Sequence, residues 1–182
     1  MPLNGYRGEH PPHPNPYTEA DVIAILHENR WLTGTPTPEQ TAWAERAAKL
    51  LGHYAEDRAA LANLLRPVFH YDAGQILQSS GAQAGVSRYA ARDVIRQLAL
   101  LVLEPVPFTS ERFKEVATYL KETCGVRSRD LFNPIRLALA GRVGEGELDR
   151  VILLLDEAAL LSFAVPVKSA RTRILEFCSA LD

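Results

Sequence analysis

Cysteine occurs only twice in this chain, at Cys124 and Cys178, far apart and each within an apolar helical pattern. That spacing does not suit zinc, and the two side chains read as buried, reduced thiols. No run approaches the roughly 20 apolar residues of a membrane span, and the N-terminal MPLNGYRGEHPPHPNP has no hydrophobic signal core. A soluble protein of the reducing cytoplasm, with no membrane partner, is expected. An excess of positive charge is missing as well: 20 Lys and Arg stand against 22 Asp and Glu, for a net charge of -2. Phosphate neutralisation usually supplies much of the affinity for nucleic acid, so this balance disfavours holding it by bulk electrostatics. Any RNA contact must come from a local patch and should be weak.

Catalytic machinery is equally thin. Gly141-Arg142-Val143-Gly144-Glu145-Gly146 looks like a phosphate loop, but it lacks the Gly-Lys-Ser/Thr ending and follows a helix rather than a strand. A glycine-permitted turn between helices is the ordinary reading. His27, His53 and His70 are isolated from one another and from either cysteine, and His10 and His13 flank a Pro-Pro pair in a polar arm. Glu56/Asp57 and Asp156/Glu157 are adjacent on helical segments, so their carboxylates point to different faces. No metal, cofactor or enzymatic activity is expected.

What the chain does have is one helix signal after another. Its 182 residues, 47% hydrophobic, suffice for one domain or two small ones. Residues 1–16 form an irregular proline-rich arm, 17–80 a first helical subdomain and 86–182 a second. Thr18 is placed to cap a helix burying Val22, Ile25 and Leu26. Thr37-Pro38-Glu39-Gln40 has a capping threonine, a first-turn proline and a glutamine that can bond back; Trp43, Ala47, Leu50 and Leu51 follow on one face, with Gly52 at the end. A third helix is predicted from Glu56 to Leu65, stopped by Pro67. Ser79-Ser80-Gly81-Ala82-Gln83-Ala84-Gly85 suits a hinge. Ser87 is placed to cap a helix burying Val94, Leu98, Leu101 and Val102. Thr109 or Ser110 opens another, with Phe113, Val116, Ala117 and Leu120 on one stripe and Gly125 past its end. Asn133-Pro134 starts a further helix that Gly141 ends. Glu147 to Leu155 is apolar on nearly every side, and Ser169 to Leu181 closes the chain. No convincing alternating strand is found, so the fold class is all-α.

Five arginines, Arg127, Arg129, Arg136, Arg142 and Arg150, fall in one short region of helix ends and loops, and Arg171 and Arg173 can add to the same face. An arginine fork can bridge phosphates, stack on a base or bond a base edge, which suits single-stranded RNA. On composition alone the favoured reading is ordinary solvated arginines balanced by Asp130, Glu145, Glu147 and Asp149.

The stretch Leu131-Phe132-Asn133-Pro134-Ile135-Arg136-Leu137-Ala138-Leu139-Ala140-Gly141 resembles the LF-x-P-[LI]-R-x-A-L-[TA]-G signature in the C-terminal anticodon-binding region of bacterial-type glutamyl-tRNA synthetases. The likeness is strongest from Phe113 to Leu161 and reaches weakly back to Glu56 and Val68-Phe69-His70-Tyr71-Asp72; residues before Thr37 match nothing in that family. It implies a multihelical anticodon-binding-type domain of two small helical subdomains. Arg127, Arg129, Arg136, Arg142 and Arg150 would then be its RNA-binding residues and the tRNA anticodon stem-loop its partner, with a separate synthetase or another protein as a further possible partner. Arg136 occupies the family's arginine position, where it either meets RNA or ties adjacent helices together. The class I elements for ATP, a His-x-Gly-His-type segment and a Lys-x-Ser-Lys-type loop, are both lacking, so aminoacylation by this chain alone is not expected. The chain departs from the family pattern at Leu155-Asp156-Glu157-Ala158-Ala159 and at the inserted Phe163-Ala164-Val165-Pro166. A rival reading is a helical scaffold repurposed to bind a protein, which the acidic net charge favours.

Overall fold

A computed structural model describes residues 14–142 and 147–181. Most of the arm, with His10 and His13, and the Gly144–Gly146 part of the glycine turn lie outside these residues. The described residues contain no strand; they fold into α1 (Glu19–Glu28), α2 (Pro38–Leu51), α3 (Arg58–Phe69), α4 (Ala73–Gln78), α5 (Ser80–Val86), α6 (Ala91–Leu101), α7 (Ser110–Cys124), α8 (Arg129–Ala140), α9 (Leu148–Ala159) and α10 (Ala170–Leu181).

Where capping is local, the helices begin where the side chains dictate. The Thr37 hydroxyl accepts from the Gln40 N–H at 3.1 Å, and the Gln40 side chain accepts from the Thr37 N–H at 2.9 Å, closing a capping box on α2. Thr109 accepts from the Arg112 N–H at 3.1 Å to start α7. The predicted stripes are the buried ones: Val22, Ile25 and Leu26 on α1, and Phe113, Val116, Ala117 and Leu120 on α7.

Four boundaries differ from expectation. The segment read as a hinge is helical: Asp72 caps α4 and Ser79 caps α5. Its glycine serves proximity instead, since a Cβ on Gly85 would stand 2.5 Å from Leu137 Cδ1 of α8. Ser87 closes α5, its hydroxyl donating to the Gln83 carbonyl at 2.6 Å, and α6 starts later, after Ala90. Pro67 does not stop α3, and Pro134 does not start α8, which begins at Arg129; both prolines lie inside their helices. Gly141 does end α8, with φ +77° and its N–H on the Leu137 carbonyl at 2.9 Å.

Helix α10 packs against α4, α6 and α8, and α2 packs against α1 and α9. Trp31, Trp43, Phe69 and Phe163 form an aromatic corner where these groups meet: Trp31 stacks on Phe69 with centroids 4.8 Å apart, and Phe163 meets Trp43 at 5.2 Å.

Candidate nucleic-acid interface

The predicted arginines do not share one face. Arg127 and Arg129 are exposed at the start of α8 and Arg142 sits just past its end. At 1.5 Å rise per residue the length of α8 puts them about 18 Å apart. Arg136, between them, is 3% exposed, so its guanidinium lies within the helical packing and not on the surface. Arg88 reaches Asp130 at 3.2 Å beside the exposed pair.

Several arginines are instead turned to backbone carbonyls. Pro67 has no N–H to give the Asn63 carbonyl one turn back, and Arg142 Nη2 donates to that carbonyl at 2.8 Å. Arg171 donates to the carbonyls of Val102 and Leu103 at 2.8 and 2.9 Å, and Arg112 to that of Leu101 at 2.9 Å, so both cap the C-terminus of α6. Arg173, expected on the same face as the signature arginines, is fully buried. Its Nη1 donates to the carbonyls of Pro67 and Leu139 at 2.7 and 2.9 Å, its Nη2 to Val68 at 2.7 Å, and its Nε to Lys168 at 2.8 Å. These acceptors are last-turn carbonyls of α3 and α8 and the entry to α10. Two helix C-termini, each the negative end of a dipole, therefore converge on one cation. Burial pushes this guanidinium down to about 10, which leaves it charged at neutral pH. Its Cζ lies 4.7 Å from the centre of the Tyr71 ring, and the Tyr71 hydroxyl sits between the carbonyls of Ala138 and Arg173. Burial pushes that phenol well above its ordinary range, so it remains a neutral donor.

Arg150 does join other cations, from a part of the chain that gave no signal in sequence. It lines a groove of about 310 Å³ between α2 and α9 together with Arg46 and Lys49, over Leu50, Leu153 and Leu154. Glu157 stands at its side, 2.6 Å from Arg46. Lys49 pairs with Glu45 at 3.0 Å and Arg150 with Glu147 at 3.1 Å, each along its own helix. Below the groove the fully buried Trp43 donates its indole N–H to the Leu154 carbonyl at 2.9 Å, fixing α2 on α9. Among the described residues no group of His, Cys, Asp and Glu is arranged to hold a metal ion, and no helix is long and apolar enough to cross a membrane.

No protein-family model matches the chain. Over 145 residues it is 32% identical to a glutamate–tRNA ligase of Desulforudis audaxviator, a match covering 77% of this chain and 28% of that protein. Over 78 residues it is 33% identical to glutamate–tRNA ligase 2 of Syntrophus aciditrophicus, covering 42% of this chain and 16% of that protein. The chain thus carries a domain similar in sequence to part of these ligases and spans less than a third of their length.

Proposed function

We propose that this chain is an anticodon-binding-type helical domain, similar to the C-terminal region of glutamate–tRNA ligase, that binds tRNA or assists a separate synthetase without catalysing aminoacylation. The observation that carries this reading is the match to a glutamate–tRNA ligase over 77% of the chain. The all-helical setting of α8, closed by Gly141, agrees with it. On this reading residues 17–80 and 86–182 are the two subdomains, and Arg173 is the bond between them. The RNA-facing residues are Arg127, Arg129 and Arg150, while Arg136 supports α8 from inside and Arg142 is turned to the Asn63 carbonyl. A net charge of -2 makes the interaction modest and dependent on local cations. Fluorescence titration with a tRNA transcript should show binding that weakens steeply between low and physiological salt. Absence of binding at both would remove the RNA role.

A second reading, a scaffold that binds a protein, draws on the apolar edge at the end of α6 and just beyond it, where Leu100, Leu103 and Val106 are 61%, 55% and 49% exposed. Replacing Leu100 and Leu103 by serine should leave tRNA titration unchanged on the first reading. It should abolish capture of a protein partner on the second.

A further inference from the structure

We propose that the groove between α2 and α9 seats one unstacked nucleotide of a single-stranded RNA, its base on the leucine floor and its phosphate among Arg46, Lys49 and Arg150. This rests on the RNA reading above and names the place where it acts.

Three observations lead there. The first is charge. The groove is lined by three cations and one carboxylate in a chain whose net charge is -2, which is the local patch that an acidic RNA binder needs. The glutamates facing Lys49 and Arg150 are exposed partners on the same helix. Such pairs are weak, so a phosphate can take their place. The second is shape. A volume of about 310 Å³ lies at the small end of ligand pockets, suited to one base and its phosphate and not to a duplex. The apolar floor of Leu50, Leu153 and Leu154 offers a base a nonpolar contact and no hydrogen-bond code, so the seat does not select among bases. The third is rigidity. The buried Trp43 on the Leu154 carbonyl holds the two walls together, so the seat exists before the ligand arrives.

The experiment uses the full chain with two probes, a fluorescein-labelled single-stranded RNA heptamer of mixed sequence and a tRNA transcript. Lys49→Glu with Arg150→Glu reverses charge in the groove; Leu153→Asn alters its floor; Lys114→Glu with Lys121→Glu reverses two exposed lysines on α7 as a control. Thermal melts confirm that each variant is folded. The groove pair should weaken heptamer binding about tenfold or more and flatten its salt dependence by about one to two counterions. Leu153→Asn should weaken it less and leave the salt slope unchanged, and the α7 pair should have little effect. If the wild type binds RNA but the groove and α7 pairs weaken it equally, the groove is not the seat and the RNA reading stands. If the wild type binds neither probe, the RNA reading itself has failed. If polyglutamate displaces the heptamer as readily as unlabelled RNA does, the site takes acidic peptides and the nucleotide assignment is overturned.

Discussion

The helix ends gathered by arginines and the aromatic corner around Phe69 are held together by different chemistry. In the first, arginines finish helix ends: Arg112 and Arg171 on α6, Arg142 on α3, Arg173 on α3 and α8. In the second, the α1–α2 connection and Phe163-Ala164-Val165-Pro166 after α9 meet each other. Trp31 comes from that connection and Phe163 from the segment after α9; both pack on Phe69, and the Ala164 N–H donates to the Trp31 carbonyl at 2.8 Å. Phe163 also meets Trp43, so this segment lies against both tryptophans. One region is a lattice of hydrogen bonds that tolerates no missing donor. The other is a ring cluster whose stability comes from area removed from water.

The most damaging way to break this contrast is Arg173→Met. It fills similar volume but leaves four buried carbonyls without their donor, and should cost about 3–5 kcal/mol in urea denaturation. Arg173→Lys should recover only part of this, because an ammonium cannot reproduce the fork. In the aromatic corner, Trp43→Phe keeps a ring but loses the bond to Leu154 and some volume, so about 2 kcal/mol should be lost, seen as a lower melting temperature. Tyr71→Phe removes only a hydroxyl beside Arg173 and should cost about 1–2 kcal/mol. If the ring-preserving Trp43→Phe proves costlier than Arg173→Met, the contrast between the regions is wrong. The smallest effect concerns Asp156, which accepts from the Ala170 N–H at 2.8 Å at the start of α10 and whose carboxyl burial pushes above its ordinary value. The fold then holds this proton more tightly than the unfolded chain does, so its ionisation lowers stability as pH rises from the ordinary carboxylate range through the raised value. Asp156→Asn should melt slightly higher at pH 7. That advantage should vanish once acid has protonated the wild-type carboxyl in both states.

The sequence was readable where a helix is decided by its own neighbours. Thr18, Thr37 and Thr109 mark starts because their caps lie within three residues, and Gly125 and Gly141 mark ends because both have positive φ. It misled where distant groups complete a helix. Pro67 reads as a stop, but α3 continues through it, and its stranded carbonyl is satisfied by Arg142, 79 residues away. The glycines at 81–85 read as flexibility, whereas Gly85 makes room for Leu137. The candidate site followed the same division. Five neighbouring arginines were visible in sequence, yet α8 separates some of them by its own length and buries Arg136. The company Arg150 keeps was not visible, because Arg46 and Glu157, which bridge the groove, are 111 positions apart.

The bond from Arg142 to the Asn63 carbonyl has a consequence for the segment that follows α8. A proline within α3 donates nothing backwards, so it leaves an acceptor on the helix flank that a distant guanidinium can grip. Pro67→Ala would return an amide hydrogen to α3, and Arg142 would then have to share an oxygen already claimed from within the helix. A change meant only to regularise one coil would thus loosen the anchorage of the C-terminal end of α8 on α3.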